Sequence, residues 1–359
     1  MPFPALGELP SPGPEGLRSS EASSMKSLAG NGGGIAVRRG EGVVALLFIL
    51  PNLVGVLVFT LLPILASLAL SFCQWDALTW PPRFVGLQNY WQLLGFHIEA
   101  GRLAPNDPDF WFYLYNTLFL MLNIPVGMGL SLACALLLNL PLRGRVAART
   151  IYFLPSMCMA AAVALVWGWI FNAEFGLLNA FLRWLPFRIC IPEFEVGWLH
   201  FPGFDTKNPP AWLSDPSWAK PAMMIIGLWQ GMGGYNCLVY LAGLQSIPRE
   251  FYEAAEVDGA GTWAKFRHIT WPLLAPTTMF VLVTSLIAGF QGGFVAAYIL
   301  TKGGPAGATT TLVYYIYRQA FEWFHMGYAA ALSWVIFVLT FSISLLIWRR
   351  WRRAVVIQY

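Results

Sequence analysis

The chain has 359 residues, of which 57% are hydrophobic and only 11% charged, against a charged share of about 25% in soluble domains. That balance excludes an ordinary water-soluble globule, and nothing in the net charge of +4 suggests a nucleic-acid partner. Apolar runs long enough to cross a bilayer, about 20 residues each, lie near residues 43–73, 112–140, 147–172, 221–246, 272–300 and 327–348. They predict an all-α membrane protein with six transmembrane helices.

Residues 1–35 are rich in Gly, Pro and Ser and lack the apolar stretch of a cleaved signal. With too little apolar surface to offset the entropy of ordering, 1–40 reads as a disordered cytoplasmic tail. The first run follows Arg38-Arg39 and carries Pro51 and Pro63, which neighbouring helices make tolerable in a membrane. An outer connection follows with Trp75-Asp76, the segment Phe84 to Tyr90, and Asn106-Asp107-Pro108; Asn116-Thr117 opens the second run. A tight basic turn, Leu142-Arg143-Gly144-Arg145, leads into the third, which ends at Trp167, Trp169 and Phe171, an interfacial aromatic belt.

Residues 173–220 form the longest outer loop, polar, Pro-rich and aromatic, expected to pack as a small excursion outside the membrane. The fourth and fifth runs hold Gly227-xxx-Gly231 and Gly289-xxx-Gly293, small-residue spacings that allow close helix approach. The sixth run ends in Arg349-Arg350-Trp351-Arg352-Arg353, so 41–350 is the permeating six-helix domain and 351–359 a basic cytoplasmic terminus. Of 22 basic residues, 14 fall on the side shared by both termini, the 141–149 loop and the 247–271 loop. Basic residues beside spans mark the cytoplasmic face, which sets both termini inside and locates the chain in the cell's inner (plasma) membrane.

No Asp, Glu, Lys, Arg or His is expected inside the apolar runs, and intramembrane charge is what proton relays and voltage sensors need. The four histidines are scattered, the five cysteines show no disulfide or metal spacing, and no Gly-xxxx-Gly-Lys-Ser/Thr phosphate loop exists. Acidic residues outside (Glu193, Glu195, Asp205, Asp215) lack a catalytic scaffold and read as solvated charges. The expectation is a transport subunit with no catalytic residue, no metal and no ATPase site of its own.

The 247–271 loop is the most informative. Ser246-Ile247-Pro248-Arg249-Glu250 is a helix start, residues 248–257 are good helix formers, and Gly259 and Gly261 end the helix. Thr262 can cap a second short helix with Trp263, Phe266 and Ile269 on one face. An interfacial helix on lipid is the bland alternative, but Glu250, Glu253, Glu256 and Asp258 suit an anionic inner leaflet badly. An acidic handle facing water fits a soluble partner better.

The string Glu253-Ala254-Ala255-x-x-Asp258-Gly259-Ala260 with Ile269-x-x-Pro272 resembles the Glu-Ala-Ala signature loop of ABC importer permeases. More narrowly, the chain resembles the binding-protein-dependent carbohydrate-uptake permeases of maltose and glycerol-phosphate type. Supporting segments are Phe153-Leu154-Pro155, Trp167 to Asn172, Phe175 to Asn179, Leu300 to Ala306, Ala308 to Leu312 and Met326 to Ala331. The resemblance implies the ABC importer permease (MetI-like) fold, a second permease subunit that is related but distinct, and two cytoplasmic ATPase subunits that use ATP and Mg²⁺. It also implies an extracytoplasmic solute-binding protein, and a coupling helix at Glu253, Ala254, Ala255, Asp258 and Gly259.

Uncharged, aromatic-rich spans suit a neutral polar solute such as a sugar. Candidates for its path are Asn123, Trp229, Gln230, Tyr235, Asn236 and Gln291, although an amide can equally bond another helix and a Trp can anchor at the interface. The rival class is a secondary carrier or a polytopic membrane enzyme, disfavoured by the missing intramembrane charge and catalytic motifs.

Overall fold

The computed structural model describes residues 39–99, 101–140, 144–196, 199–232 and 234–356. The tail expected over 1–40 therefore lies, up to residue 38, outside the described residues, as do Arg143 and residues 357–359. The chain divides into two compact units, 1–65 and 66–359. In the first, helix begins at Arg39 and continues through a π-helical turn at Leu57–Leu61. Its apolar part, Leu47–Ser71 (α1), is long enough to span a bilayer and runs on into the second unit.

The second unit opens with a two-stranded ribbon, β1 (Cys73–Gln74) against β2 (Arg83–Phe84), then α2 (Gln88–Leu94) and the hairpin of β3 (Phe96–Glu99) and β4 (Arg102–Pro105). Next come α3 (Pro108–Met121) and α4 (Asn123–Asn139), one bilayer-length run. Helix α3 starts earlier than the hydropathy suggests. Asp107 is its N-cap, its Oδ1 accepting the Phe110 N–H at 3.0 Å, and Pro108 opens the first turn, a pairing suited to a helix N-terminus.

The third apolar run is two helices, α5 (Arg145–Met157) and α6 (Ala160–Ile170), bent by 94° at Cys158–Met159. Pro155 cannot donate to the preceding turn, and both linking residues have extended ψ. Beyond α7 (Leu177–Trp184), β5 (Cys190–Ile191) pairs with β8 (Phe204–Asp205) around the inner ribbon of β6 (Phe194–Val196) and β7 (Leu199–Phe201). Trp212 ties this excursion down by donating its indole N–H to the fully buried Asn179, 2.6 Å away.

The fourth run is likewise divided into α8 (Pro216–Met232) and α9 (Tyr235–Gln245), each shorter than a span. Then follow α10 (Arg249–Val257), α11 (Thr262–Lys265), α12 (Ala275–Gln291), α13 (Leu312–Tyr317) and α14 (Met326–Val356). Among the described residues four helices are long and apolar enough to cross a membrane, or five if the bent α5–α6 pair counts as one. The basic C-terminal segment continues α14 as far as Val356.

Two packed regions organise the second unit. One joins α4, α9 and the start of α12 through Leu138, Tyr240, Leu244 and Leu274. The other joins α3, α12, α13 and α14 through Phe110, Tyr113, Phe290, Tyr315 and Leu332. One sequence expectation needs correcting: Arg149 lies within α5, inside the third run, where it is half-buried and donates Nη2 to the Leu138 carbonyl at 3.0 Å. It ties the start of α5 to the end of α4, which explains its survival near apolar surface.

At the other end, Gly327 sits directly on the Cys73 carbonyl and near that of Leu70. A Cβ there would collide with backbone that cannot rotate away. Gly327→Ala is therefore expected to destabilise the protein by about 1–3 kcal/mol, the usual range for overpacking, seen as a lower melting temperature of the purified permease. An unchanged melt would show that the contact relaxes freely.

Candidate translocation cavity and coupling loop

The 247–271 loop folds as two short helices held from behind. Helix α10 covers Arg249–Val257 and buries no residue fully. Its N-cap is Pro248 without a side-chain cap. Ser246 does not cap it, as the sequence suggested, because its hydroxyl turns back to the Gly243 carbonyl at 2.8 Å. The helix ends in a Schellman arrangement: Gly259 N–H donates to Glu256 O (3.0 Å) and Ala260 N–H to Ala255 O (2.8 Å). Gly259 has φ +75°, a left-handed conformation that glycine adopts without steric cost. Gly261, rather than Thr262, is the N-cap of α11.

The loop's own contacts fix which face is free. Tyr252 turns inward, packing on the α4–α9 core, with its hydroxyl 2.9 Å from Thr270 Oγ1. Lys265 donates to Glu256 at 2.7 Å, bridging the two helices. Glu253, Ala254, Asp258 and Gly259 are exposed, Ala255 is half-buried, and Val257 is 89% exposed. An apolar side chain so open, beside a strip of small and acidic residues, is a surface without a partner inside this chain.

Between the spans lies a cavity of about 550 Å³, lined from α3 by Thr117 and Met121, from α4 by Asn123, from α8 by Met223 and Gln230, and from α12 by Gln291. Of the six residues expected along the path, the structure brings Asn123, Gln230 and Gln291 together here. Asn123 donates Nδ2 to the Met224 carbonyl at 3.0 Å, while its buried Oδ1 has no partner. Gln230 and Gln291 have no side-chain hydrogen bond among the described residues. Three amide groups with free capacity around one void can serve hydroxyl groups as donors and acceptors.

The other three do not line this cavity. Asn236 bonds the Ser285 hydroxyl at 3.0 Å, joining α9 to α12. Trp229 meets Trp167 edge-on at 5.7 Å, and Tyr235 is 59% exposed.

Sequence reasoning missed the fastening residues around the cavity. Asn116 is completely buried and donates to the Gly307 (2.9 Å) and Thr310 (3.1 Å) carbonyls, and Thr117 Oγ1 accepts the Leu312 N–H at 3.0 Å. Both amino acids stood out as polar beside an apolar run, but which loop they would reach is a long-range fact. No group of three or more His, Cys, Asp or Glu side chains able to hold a metal occurs among the described residues.

With this geometry in view, residues 110–353 match the family model of the binding-protein-dependent transport system inner membrane component. The chain belongs to that family. It is 33% identical over 315 residues to the probable ABC transporter permease protein YesP of Bacillus subtilis, covering 87% of this chain and 91% of the relative. It is 34% identical over 305 residues to the lactose transport system permease protein LacF of Rhizobium radiobacter, covering 84% and 91%. In fold it is similar to a chain of a bacterial alginate ABC transporter solved in complex with an alginate pentasaccharide-bound periplasmic protein. That match has a TM-score of 0.66 at 23% identity and covers 89% of this chain and 96% of that one.

The protein is thus an ABC transporter permease, a transport subunit of the inner membrane and not an ATPase. In such a helix bundle Asn116 has a structural task, and Asn116→Ala leaves two buried carbonyls without a donor. The expected cost is about 1–2 kcal/mol, the scale of interhelical polar contacts in membranes, read as a drop in thermal stability of the purified permease. Asn116→Asp keeps the shape and loses the donor, so a stable Asp variant would refute the assignment.

Proposed function

We propose that this permease forms half of the translocation path of an ATP-driven importer for a sugar or sugar-like solute. The observation that carries the reading is the cavity bounded by Asn123, Gln230 and Gln291, uncharged and amide-lined, in a chain whose relatives include a lactose permease. A neutral polyol presents hydroxyls for those amides and apolar C–H faces for Met121 and Met223. The companion chains in this reading are a second, related permease, two cytoplasmic ATPases that consume ATP and Mg²⁺, and an extracytoplasmic binding protein.

The proposed topology has six spans, with α5–α6 and α8–α9 each acting as one broken span, and both termini inside. Broken helices are accepted at membrane depth where they border protein or a cavity, and residues of α6 and α8 do line this one. That topology puts α10 in the cytoplasm as the coupling helix. Glu253, Ala254, Ala255, Asp258 and Gly259 are the contact surface for an ATPase, with Val257 as its apolar point. Closure of the ATPases moves α10, and the Tyr252–Thr270 and Lys265–Glu256 links pass the movement towards α12. Such coupling needs a partner whose affinity for the handle differs between states.

Uptake by the reconstituted complex should require hydrolysable ATP; uptake driven by an ion gradient alone would favour a secondary carrier. Gly259→Val places a β-branched side chain at positive φ, though nothing lies within 4 Å of the new Cβ. The protein should insert normally while uptake falls at least tenfold, and unchanged uptake would show that the turn is not needed. Gln230→Ala and Gln291→Ala should each raise the KM for uptake by about tenfold, the effect of roughly one lost polar contact; an unaltered KM would remove these amides from the path.

A further inference from the structure

The largest cavity of the second unit, about 880 Å³, lies apart from the amide-lined one and serves no role in the proposed cycle. Its walls are the segments 74–92 and 106–109 on one side and 315–328 on the other. Its floor is a closed polar network. Asp107 Oδ2 accepts the hydroxyls of Tyr315, at 2.8 Å, and Tyr328, while Gln319 donates to the Tyr315 hydroxyl at 2.8 Å and its carbonyl oxygen lies 3.0 Å from His325 Nδ1. Burial beside the Asp107 carboxylate pushes the Tyr315 hydroxyl well above the usual tyrosine range, so it stays protonated and donating. The two walls are joined where the Met326 N–H donates to the Trp75 carbonyl at 3.0 Å.

Above this rigid floor, functional groups are left unused. Gln74, Gln88 and Gln92 make no side-chain hydrogen bond among the described residues, and Asp109 and Arg83 make no ion pair there. Trp75 spends its N–H on the Thr79 carbonyl at 2.9 Å, leaving its ring as the part that can meet a ligand. Free amides and a free carboxylate beside indole rings supply hydroxyl recognition together with apolar C–H faces. Concavity separates the possible occupants. Small-ligand sites are clefts of about 300–1,000 Å³, whereas protein partners bury about 800 Å² per side of much broader surface.

We infer that this cleft is a second saccharide site, receiving a segment of two or three sugar units before it enters the spans. The inference rests on the importer reading above, whose topology puts the cleft on the outer face. Both cavities border the same two elements: α3 contributes Asp109 to the cleft and Thr117 to the inner cavity, while Thr311 and Tyr315 divide likewise across the start of α13. Eight residues of helix separate the two levels by about 12 Å. The space between is filled by Phe110, Tyr113, Leu312 and Leu332, so a sugar held in the cleft waits behind packed side chains until the spans reorient.

The test uses the complete importer in nanodiscs without its binding protein, and saturation-transfer NMR with maltotriose, xylotriose and trigalacturonate as probes. At least one should receive magnetisation from the wild-type complex, and the exposed double variant Gln88→Ala/Gln92→Ala should weaken its binding about tenfold, equivalent to roughly one lost polar contact. Gln291→Ala, in the inner cavity, should leave that transfer in place. No transfer to any probe, or equal transfer in the double variant, overturns the cleft. So does a double variant that loses capture of the binding protein while keeping saccharide transfer, since the cleft would then belong to a protein contact. ATP-dependence of uptake by the same complex is scored separately: ATP-driven uptake with no saccharide transfer sinks the cleft alone, and ion-driven uptake sinks the importer reading.

Discussion

Everything in the second unit depends on how polar groups are satisfied where water is scarce. An unpaired donor or acceptor in an apolar medium costs several kcal/mol, so each buried polar side chain becomes a fastener. Asp107 takes a backbone N–H from its own helix and two tyrosine hydroxyls from elements more than 200 positions away, gathering α3, α13 and α14 at one end. Asn116 and Thr117, two turns further on, repeat the device against the 307–312 segment. The helices could slide past one another if held by apolar contact alone, because lipid competes equally well for apolar surface. The directional bonds fix their register.

That register creates both cavities. The fastened end, with its packed tyrosines, divides the outer cleft from the inner void. The inner void exists because α5–α6 is bent and α8–α9 interrupted, leaving Asn123, Gln230 and Gln291 facing space instead of neighbouring side chains. Broken helices are costly in lipid, and their cost is accepted where the freed surface borders a cavity. At the other end the coupling loop is braced from behind by Tyr252 and Lys265, so its exposed face can take force without folding back. Gly259 sets the direction in which the chain leaves that face.

Particular residues show how far the chain could be read before its fold was known. The signature loop was legible because its signals are local: helix formers, an acidic strip and glycine at the left-handed turn. Its caps were less so; Ser246 and Thr262 looked like caps, but the backbone geometry assigns those positions to Pro248 and Gly261. Among the path candidates, polarity singled out Asn123, Gln230 and Gln291 correctly as cavity-facing, yet the same polarity in Asn236 serves only to bind Ser285. An amide's sequence neighbours do not say whether it faces a void or another helix.

The sequence by itself determined that the protein is a bundle of apolar helices, which loop carries the acidic handle, and which family it joins, because hydropathy, helix signals and motifs are properties of contiguous residues. Only the tertiary structure decided that Asp107 is a hub, that Arg149 is tolerable inside a run, and that three distant amides share one cavity. It alone separated that cavity from the outer cleft. Those facts depend on hydrogen bonds and packing between residues far apart in the chain, whose partners are chosen by the mutual register of whole helices and not by any local pattern.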